Sequence, residues 1–338
     1  MTTKIAINGF GRIGRCVTRA LYGRGGEDME IVAINDLTDS KMLAYLLRHD
    51  SVHRGFDRTV ETGEGFMAID GDKIKVLAER DPGKLPWKEL GADVVFECTG
   101  LFRSRDKASL HLNAGAKKVL LSAPGKNCDL TVVVGVNSDQ YDGAKHHIVS
   151  AGSCTTNCLA PPTKVLLDGF GIKRGMLTTV HSYTNGQALL DVPNRKGNLR
   201  RSRAAAESMV PSTTGAAKAI YDIIPELTGK FSGMAVRVPT PNVSLVDLTV
   251  ETEKEATVET VNAAFKQAAD EGPMKDVFDY CDEELVSCDY IGNAASSTLD
   301  GTLTSVLKGN MVKIFAWYDN EWGFSNRMID LAKIVASK

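Results

Sequence analysis

The stretch "VSAGSCTTNCLAPP", residues 149–162, sets Ser153, Cys154, Thr155, Thr156, Asn157 and Cys158 in consecutive positions. Cysteine attacks as a thiolate, so the chemistry depends on what lowers its pKa. Cys154 falls where a strand-like run, "HIVSAGS" (147–153), gives way to a helical segment (155–168). A thiol placed there faces the unpaired amides and positive end of a helix, which favours the charged form. An imidazole would complete the activation. Among six histidines, His181 is the one embedded in a strand among polar residues, in "TTVHSYTNGQ". His111 reads as part of a helix surface, His49 and His53 flank a loop, and His146 and His147 precede a strand. The alternative for His181 is a partly buried side chain with satisfied hydrogen bonds, and the sequence alone does not bring it to Cys154.

Cys158, at i+4, lies on the same helical face as Cys154. That spacing, roughly 6 Å between Cα atoms, keeps a disulfide geometrically conceivable. A reducing compartment argues against one at rest. Anion handling is suggested by Thr184, by Thr213-Thr214-Gly215, and by Arg200, Arg201, Arg203 and Arg237. Hydroxyls, a glycine backbone and guanidinium forks all suit phosphate oxygens. Alternatively, "RRSR" is a solvated face or an interface ion-pair cluster, and "PSTTGAAKA" a helix entry with a threonine N-cap.

A second constellation opens the chain. "KIAING" (4–9) is a short apolar β-type run, and in "FGRIGRCVTRALYG" Ile13, Val17, Ala20 and Leu21 recur at helical spacing. The turn between them, Gly9-Phe10-Gly11-Arg12-Ile13-Gly14, is G-x-G-x-x-G, placed where a dinucleotide pyrophosphate meets a helix N-terminus. A second strand, "EIVAIND" (30–36), ends in Asp36, whose carboxylate suits a ribose hydroxyl and repels a 2′-phosphate. NAD is therefore expected over NADP.

The elements that position these groups change character along the chain. Strand-like runs at 73–79, 93–100, 117–125, 130–136 and 147–153 alternate with helical segments near 40–49 and 104–115, which predicts a doubly wound parallel sheet. Strand ends at Thr99-Gly100 and Ser122 fall on its ligand-binding carboxyl edge. After residue 154 come longer runs at 173–184, 233–253, 283–291 and 311–320, with helices at 203–222 and 257–271. These predict an α+β domain with a mostly antiparallel sheet. The amphipathic piece 322–337 is expected to pack back as a helix.

Composition bounds the alternatives. The chain has 338 residues, 43% hydrophobic and 24% charged, with a net charge of −2. This describes a globular protein of about two domains and gives no basic surface for nucleic acid. No run approaches the roughly 20 apolar residues of a membrane helix, and "MTTKIAINGF" lacks a signal-peptide layout, so the cytoplasm is expected. Seven scattered cysteines, odd in number, read as free thiols, with Cys98 in "DVVFECTG" a core residue. No C-x-x-C pair occurs, and no metal is expected.

"INGFGRIGR", "SCTTNCLAP", "TVHSYTN", "RAAAESMVPSTTGAAKA", "RVPTPNVS" and "WYDNEWGFSNR" together resemble the phosphorylating glyceraldehyde-3-phosphate dehydrogenases, from residue 4 to about 337. The resemblance implies an α/β fold: a Rossmann-type doubly wound NAD-binding domain (1–153), completed by the C-terminal helix (321–338), and a catalytic domain (154–320). It implies a cytoplasmic homotetramer of glycolysis, using NAD and inorganic phosphate. Cys154 is then the nucleophile and His181 its base. The thiolate adds to the aldehyde, and the oxyanion is held by the Cys154 amide and His181. Hydride passes to nicotinamide C4, and phosphate releases the acyl group from the resulting thioester. Water must be excluded throughout.

The same resemblance assigns NAD contacts to Arg12, Ile13, Asp36, Arg80, Ser122 and Asn320, with Thr99 a weaker contact. Asn320 would orient the nicotinamide carboxamide. Ser153, Thr155, Thr214 and Gly215 match the site of attacking phosphate; Thr184, Arg201 and Arg237 match contacts to substrate phosphate. The chain departs from the family at Ala151-Gly152, where Asn-Ala is usual, and at Gly186, where many bacterial members carry Asp. Glycine at 152 is expected to loosen the nucleophile's turn, and glycine at 186 to remove a polar partner. The segment "LLDVPNRKGNLRRSR" is longer than typical, and the assignment of Arg201 places the extra residues before Leu199; Val192-Pro193 resembles the NAD-preferring pattern. The alternatives are an erythrose-4-phosphate dehydrogenase, against which "STTGAAKA" speaks, and a non-catalytic NAD-binding protein, against which intact Cys154 and His181 speak. Cys154→Ser should abolish nearly all NAD-dependent aldehyde oxidation while Cys158→Ser keeps most of it, as steady-state assays would read.

Overall fold

The structure is a computed structural model that describes residues 2–26, 28–194 and 197–337. Arg195 and Lys196 of the longer loop lie outside the described residues. Backbone contacts divide the chain into two compact units. One comprises the chain up to Val132, Ser138–Gly152 and the chain from Ser325 onward; the other comprises Val133–Asn137 and Ser153–Phe324.

In the first unit the described residues form a nine-stranded sheet. Its order is Leu130–Thr131, Ile148–Ser150, Lys118–Leu121, Val94–Glu97, Thr3–Asn8, Met29–Asn35, Asp72–Leu77, Phe66–Ile69 and Val60–Gly63. The first seven run parallel. Central strands such as Thr3–Asn8 are covered on both faces, which explains their continuous apolar runs. The last two strands pair antiparallel and were not expected. Their signal is the turn after Gly63, where Gly65 takes a φ of +70°. The expected strand 130–136 stops at Thr131. Beyond it the Asn137 side-chain Oδ1 accepts the Val133 amide at 2.8 Å and Gly135 adopts φ +85°, so the chain turns.

Beneath this sheet's carboxyl edge lies a buried polar network. Glu97 is 1% exposed and accepts from Asn8 Nδ2 at 2.6 Å, from the Thr99 amide at 2.8 Å and from the Thr99 hydroxyl. Asn35 Nδ2 donates to Asn8 Oδ1 at 2.7 Å. His111 was expected on a helix surface. The helix Arg105–Asn113 instead turns it fully inward, where Trp87 Nε1 donates to its Nδ1 at 2.9 Å. Its proton therefore sits on Nε2, 3.1 Å from Glu97 Oε2.

The second unit carries, among the described residues, a seven-stranded sheet ordered Val210–Thr213, Phe231–Val238, Ile172–Ser182, Ser244–Thr252, Met311–Tyr318, Ser297–Leu307 and Phe278–Cys281. Four pairings are antiparallel and two parallel, so the sheet is mixed and mostly antiparallel, as expected. Helices Cys154–Phe170 and Val258–Asp270 share a core with it, through Leu159, Leu166 and Phe265 against Leu248 and Ile314.

Three expectations fail here. The alanine-rich segment 203–222 holds only the α-turn Ala216–Ala219 and a 3-10 turn, because Val210–Thr213, with Pro211 inside it, pairs as an edge strand. The run 283–291 is not a strand: the Val286 amide donates to Asp289 Oδ2 at 2.8 Å and closes a 3-10 turn, Ser287–Tyr290. The run 233–253 is two strands, Phe231–Val238 and Ser244–Thr252, separated by a reversal. The C-terminal helix forms as expected, Trp322–Ala336, with Met328, Leu331, Ala332 and Val335 buried. Arg24 Nη2 ties it to the helix Arg12–Gly23 through Asp330 at 2.7 Å. His111→Leu should cost about 2–4 kcal/mol, since it strands the Trp87 N–H and removes a donor from a buried carboxylate; chemical denaturation would measure it.

Candidate active site

Cys154 is the first residue of the helix Cys154–Phe170, and the Ser153 hydroxyl caps that helix by accepting the Thr156 amide at 3.1 Å. His181 lies near the end of Ile172–Ser182, with Nε2 3.5 Å from the Cys154 sulfur. Its Nδ1 is 2.7 Å from the Ser182 carbonyl. Arg237 Nη1 also lies 2.9 Å from Nδ1, so Nδ1 faces both a donor and an acceptor; with its proton on Nδ1, donated to the Ser182 carbonyl, the imidazole turns the Nε2 lone pair to the thiol, the tautomer a base requires. Arg237 is directly opposite His181 in the sheet register, and its Nη1 reaches the same carbonyl at 2.8 Å. The Tyr318 ring meets the imidazole edge-on at 5.9 Å. Its hydroxyl lies 2.9 Å from both Thr155 Oγ1 and Thr179 Oγ1.

Burial pushes the Cys154 thiol up, and it outweighs the opposing pull of Arg237 and of the first-turn amides of Thr155 and Cys154 itself. Burial and then the Arg237 charge drive His181 down to about 3. The helix amides favour the charged form, as expected, but desolvation opposes them and is the larger effect, so the thiol lies above and the imidazole below its ordinary value. Cys158 is fully buried, with its sulfur directed to Ser297 Oγ at 3.5 Å and to the Ala316 carbonyl at 3.6 Å.

The structure collects only part of the expected anion set. Arg237 and Arg201 both act electrostatically on His181, and Arg201 Nε donates to Ser212 Oγ at 2.9 Å. Arg203 instead pairs with Asp191 at 2.6 Å on the surface, the bland alternative for "RRSR". Thr184 and Gly215 are exposed. The Thr214 hydroxyl accepts the Ala216 amide at 3.2 Å, so the threonine also serves as a local cap. Ser153 and Thr155 stand in the nucleophile's turn with their hydroxyls already bonded to Thr156 and Tyr318.

In the first unit a cavity of about 440 Å³ is lined by Gly9, Gly11, Asp36, Arg80, Cys98 and Thr99, among others. Cys98, expected in the core, lines its wall, and burial pushes its thiol up to about 12. A Cβ on Gly9, at φ +95°, would stand 2.7 Å from the Thr99 amide nitrogen, and one on Gly14 would stand 2.3 Å from the Gly9 carbonyl oxygen. Gly11, by contrast, has open space where a Cβ would point. Two glycines thus close the turn and the third leaves room for a ligand at the helix N-terminus, whose first-turn amides have no partner within the helix. Asp36 Oδ2 accepts the Phe10 amide at 2.8 Å and Oδ1 accepts Thr38 N at 3.1 Å, fixing a carboxylate on the cavity wall. The donor set fits a dinucleotide. The Arg12 guanidinium is held by Asp50 through both Nη atoms, so the helix amides rather than this fork are presented to a pyrophosphate. Ser122 lies at the adjacent strand end and donates to the Glu97 carbonyl at 3.0 Å.

Family models for "Glyceraldehyde 3-phosphate dehydrogenase, NAD binding domain" and "Glyceraldehyde 3-phosphate dehydrogenase, C-terminal domain" match residues 3–105 and 153–320. The chain is 57% identical to glyceraldehyde-3-phosphate dehydrogenase 1 of Bacillus cereus, over 99% of each chain. It is 57% identical to the Geobacillus stearothermophilus enzyme, over 100% of this chain and 99% of the other, and 52% identical to that of Streptomyces coelicolor over 100% of both. The chain belongs to the glyceraldehyde 3-phosphate dehydrogenase family.

Within this dehydrogenase scaffold the departures acquire physical content. Gly152 takes φ +69°, a conformation glycine adopts without strain, and its amide donates to Ser150 Oγ at 3.0 Å. Gly186 is exposed, and a Cβ there would meet only the Thr184 hydroxyl, at 3.8 Å. Sequence reasoning missed Tyr318, Glu97, Asn8, Asn35 and Asp50. One signal was present: two parallel strands both end in Ala-Ile-Asn, at Asn8 and Asn35. Burial alone would raise Asp50, but Arg12 and the Val52 and His53 amides hold it at about 2, below its ordinary 3.8. A depressed carboxylate contributes stability above its unfolded pKa, and that contribution is lost as pH falls through about 4 toward 2. Asp50→Asn should flatten this limb of the acid-denaturation curve and lower stability at pH 7 by about 1–2 kcal/mol, as urea titrations at several pH values would show.

Proposed function

We propose that the chain oxidises D-glyceraldehyde 3-phosphate with NAD and inorganic phosphate to 1,3-bisphosphoglycerate, through a thioester on Cys154. The observation that carries the roles is the Cys154–His181 pair, 3.5 Å apart at a helix N-terminus beside Arg237. Arg237, Arg201 and Thr184 receive the substrate phosphate. An anion there offsets the charges that depress His181, so the imidazole gains proton affinity as substrate arrives. His181 Nε2 then takes the thiol proton and the sulfur adds to the aldehyde carbon. The Cys154 amide and protonated His181 stabilise the oxyanion. NAD, when bound, supplies the hydride acceptor. His181 passes the thiol proton to the oxyanion, giving a hydroxyl, and takes it back as the hydride leaves and the thioester carbonyl forms; phosphate seated by Ser153, Thr155, Thr214 and Gly215 then displaces Cys154 as thiolate.

We assign cofactor binding to residues 1–153 with 321–338, and catalysis to 154–320. Ile13, Arg12, Asp36, Arg80 and Ser122 hold the dinucleotide and Asn320 orients its nicotinamide. A homotetramer is supported by the sheet of the second unit. Met176, Met234, Leu307 and Met311 stand exposed on one of its faces, away from the helices, and such an apolar face calls for a covering partner. No helix among the described residues is long and apolar enough to cross a membrane, and a cytoplasmic location accords with cysteines that form no disulfide among the described residues. NADH should form from glyceraldehyde 3-phosphate only when phosphate or arsenate is present; equal rates without either would sink the assignment in favour of a hydrolytic relative.

A further inference from the structure

We propose that Ser244 fixes the donor–acceptor sense of the Asn320 side-chain amide and thereby positions its NH2 toward the nicotinamide carboxamide; the proposal rests on the reading of Asn320 given above. An asparagine amide is nearly symmetric in shape, so only its hydrogen bonds decide which end carries the donor. Asn320 is 5% exposed and Ser244 2% exposed. The Ser182 amide donates to Ser244 Oγ at 3.1 Å, and the Ser244 hydroxyl donates to Asn320 Oδ1 at 2.8 Å. Among the described residues that oxygen is the acceptor for the serine proton. The asparagine must therefore turn Oδ1 inward, and its NH2 is left without a protein partner among the described residues.

The surrounding backbone leaves the amide rotation as the remaining freedom. Asp319 Oδ1 accepts the Glu321 and Trp322 amides at 2.9 and 2.7 Å, and Asp319 Oδ2 accepts the Gly292 amide at 2.9 Å, locking both sides of Asn320. On the other side, Val243 adopts φ +66°, a left-handed conformation that a β-branched residue takes only when its surroundings impose it. Ser182 imposes it: its hydroxyl donates to the Val243 carbonyl at 2.5 Å while its amide reaches Ser244. Ser182 directly follows His181, so one backbone clamp places both the proposed base and the proposed nicotinamide-orienting amide. Ser244 is a positioning residue in this scheme, acting through Asn320.

The test compares NAD with adenosine diphosphate ribose, which lacks the nicotinamide ring, by calorimetric titration of the full chain. Ser244→Ala should weaken NAD binding about tenfold and leave adenosine diphosphate ribose within about twofold. Ser244→Thr, which keeps the hydroxyl, should restore the preference for NAD. Asn320→Ala should show at least the loss seen in Ser244→Ala, and adding Ser244→Ala to it should produce no further loss. If Ser244→Ala fails to fold, Ser244→Cys takes its place, its thiol being a weaker donor of similar size. Equal loss of both ligands, or of neither, on Ser244 substitution while Asn320→Ala is selective would overturn the relay. An Asn320→Ala variant that binds both ligands like the unmodified chain would instead overturn the role of Asn320, and the proposal with it.

Discussion

The half-buried Cys154 thiol, desolvated against an imidazole 3.5 Å away, is the group around which a helix start and two strands of the second unit are arranged. A sulfur fully exposed to solvent would ionise readily, but any thioester formed on it would be open to hydrolysis. Desolvation opposes its ionisation, so it needs stabilising groups close by. The fold supplies them from three directions. The helix Cys154–Phe170 brings its first-turn amides, Ile172–Ser182 brings His181, and the neighbouring parallel strand brings Arg237 in direct register. Burial raises the thiol and lowers the imidazole, whereas the Arg237 charge lowers both.

The first unit meets a different problem with similar means. A parallel sheet ends its strands in unpaired polar groups, and here Asn8, Asn35 and Glu97 bond to one another beneath the cavity rather than to ligand. Their function is to hold the Thr99 segment close to Gly9, where a larger residue would not fit. The buried carboxylate is tolerable because Asn8, Thr99 and His111 all turn donors toward it. Arg12 illustrates the same economy of roles: its guanidinium is engaged by Asp50, which leaves the helix amides as the electropositive surface.

Much of this was legible before any coordinates. The glycine turn, Asp36, the helix after Cys154 and the C-terminal amphipathic helix followed from spacing, since local sterics and period-3.6 patterning act over a few residues. Less legible were segments whose partners lie far away. The alanine-rich stretch 203–222 has helical propensity, yet Val210–Thr213 is claimed by Phe231–Val238 as an edge strand. His111 sits on a helix that sequence could predict, but its inward face is decided by Trp87 and Glu97, which are 24 and 14 residues away. Tyr318 reaches Thr155 across 163 residues, a separation no local pattern encodes.

The sequence by itself therefore determined which residues were chemically capable: a cysteine at a helix start, a histidine in a strand, a glycine turn before an acid, and six motifs in family order. These depend on residue type and near-neighbour spacing. Only the tertiary structure decided their protonation and orientation. The helix start favours a thiolate, but burial, which comes from packing remote segments, outweighs it and pushes the thiol up. In the same way Asn320 was identifiable as an amide, while the direction of that amide is set by Ser244, 76 positions earlier in the chain.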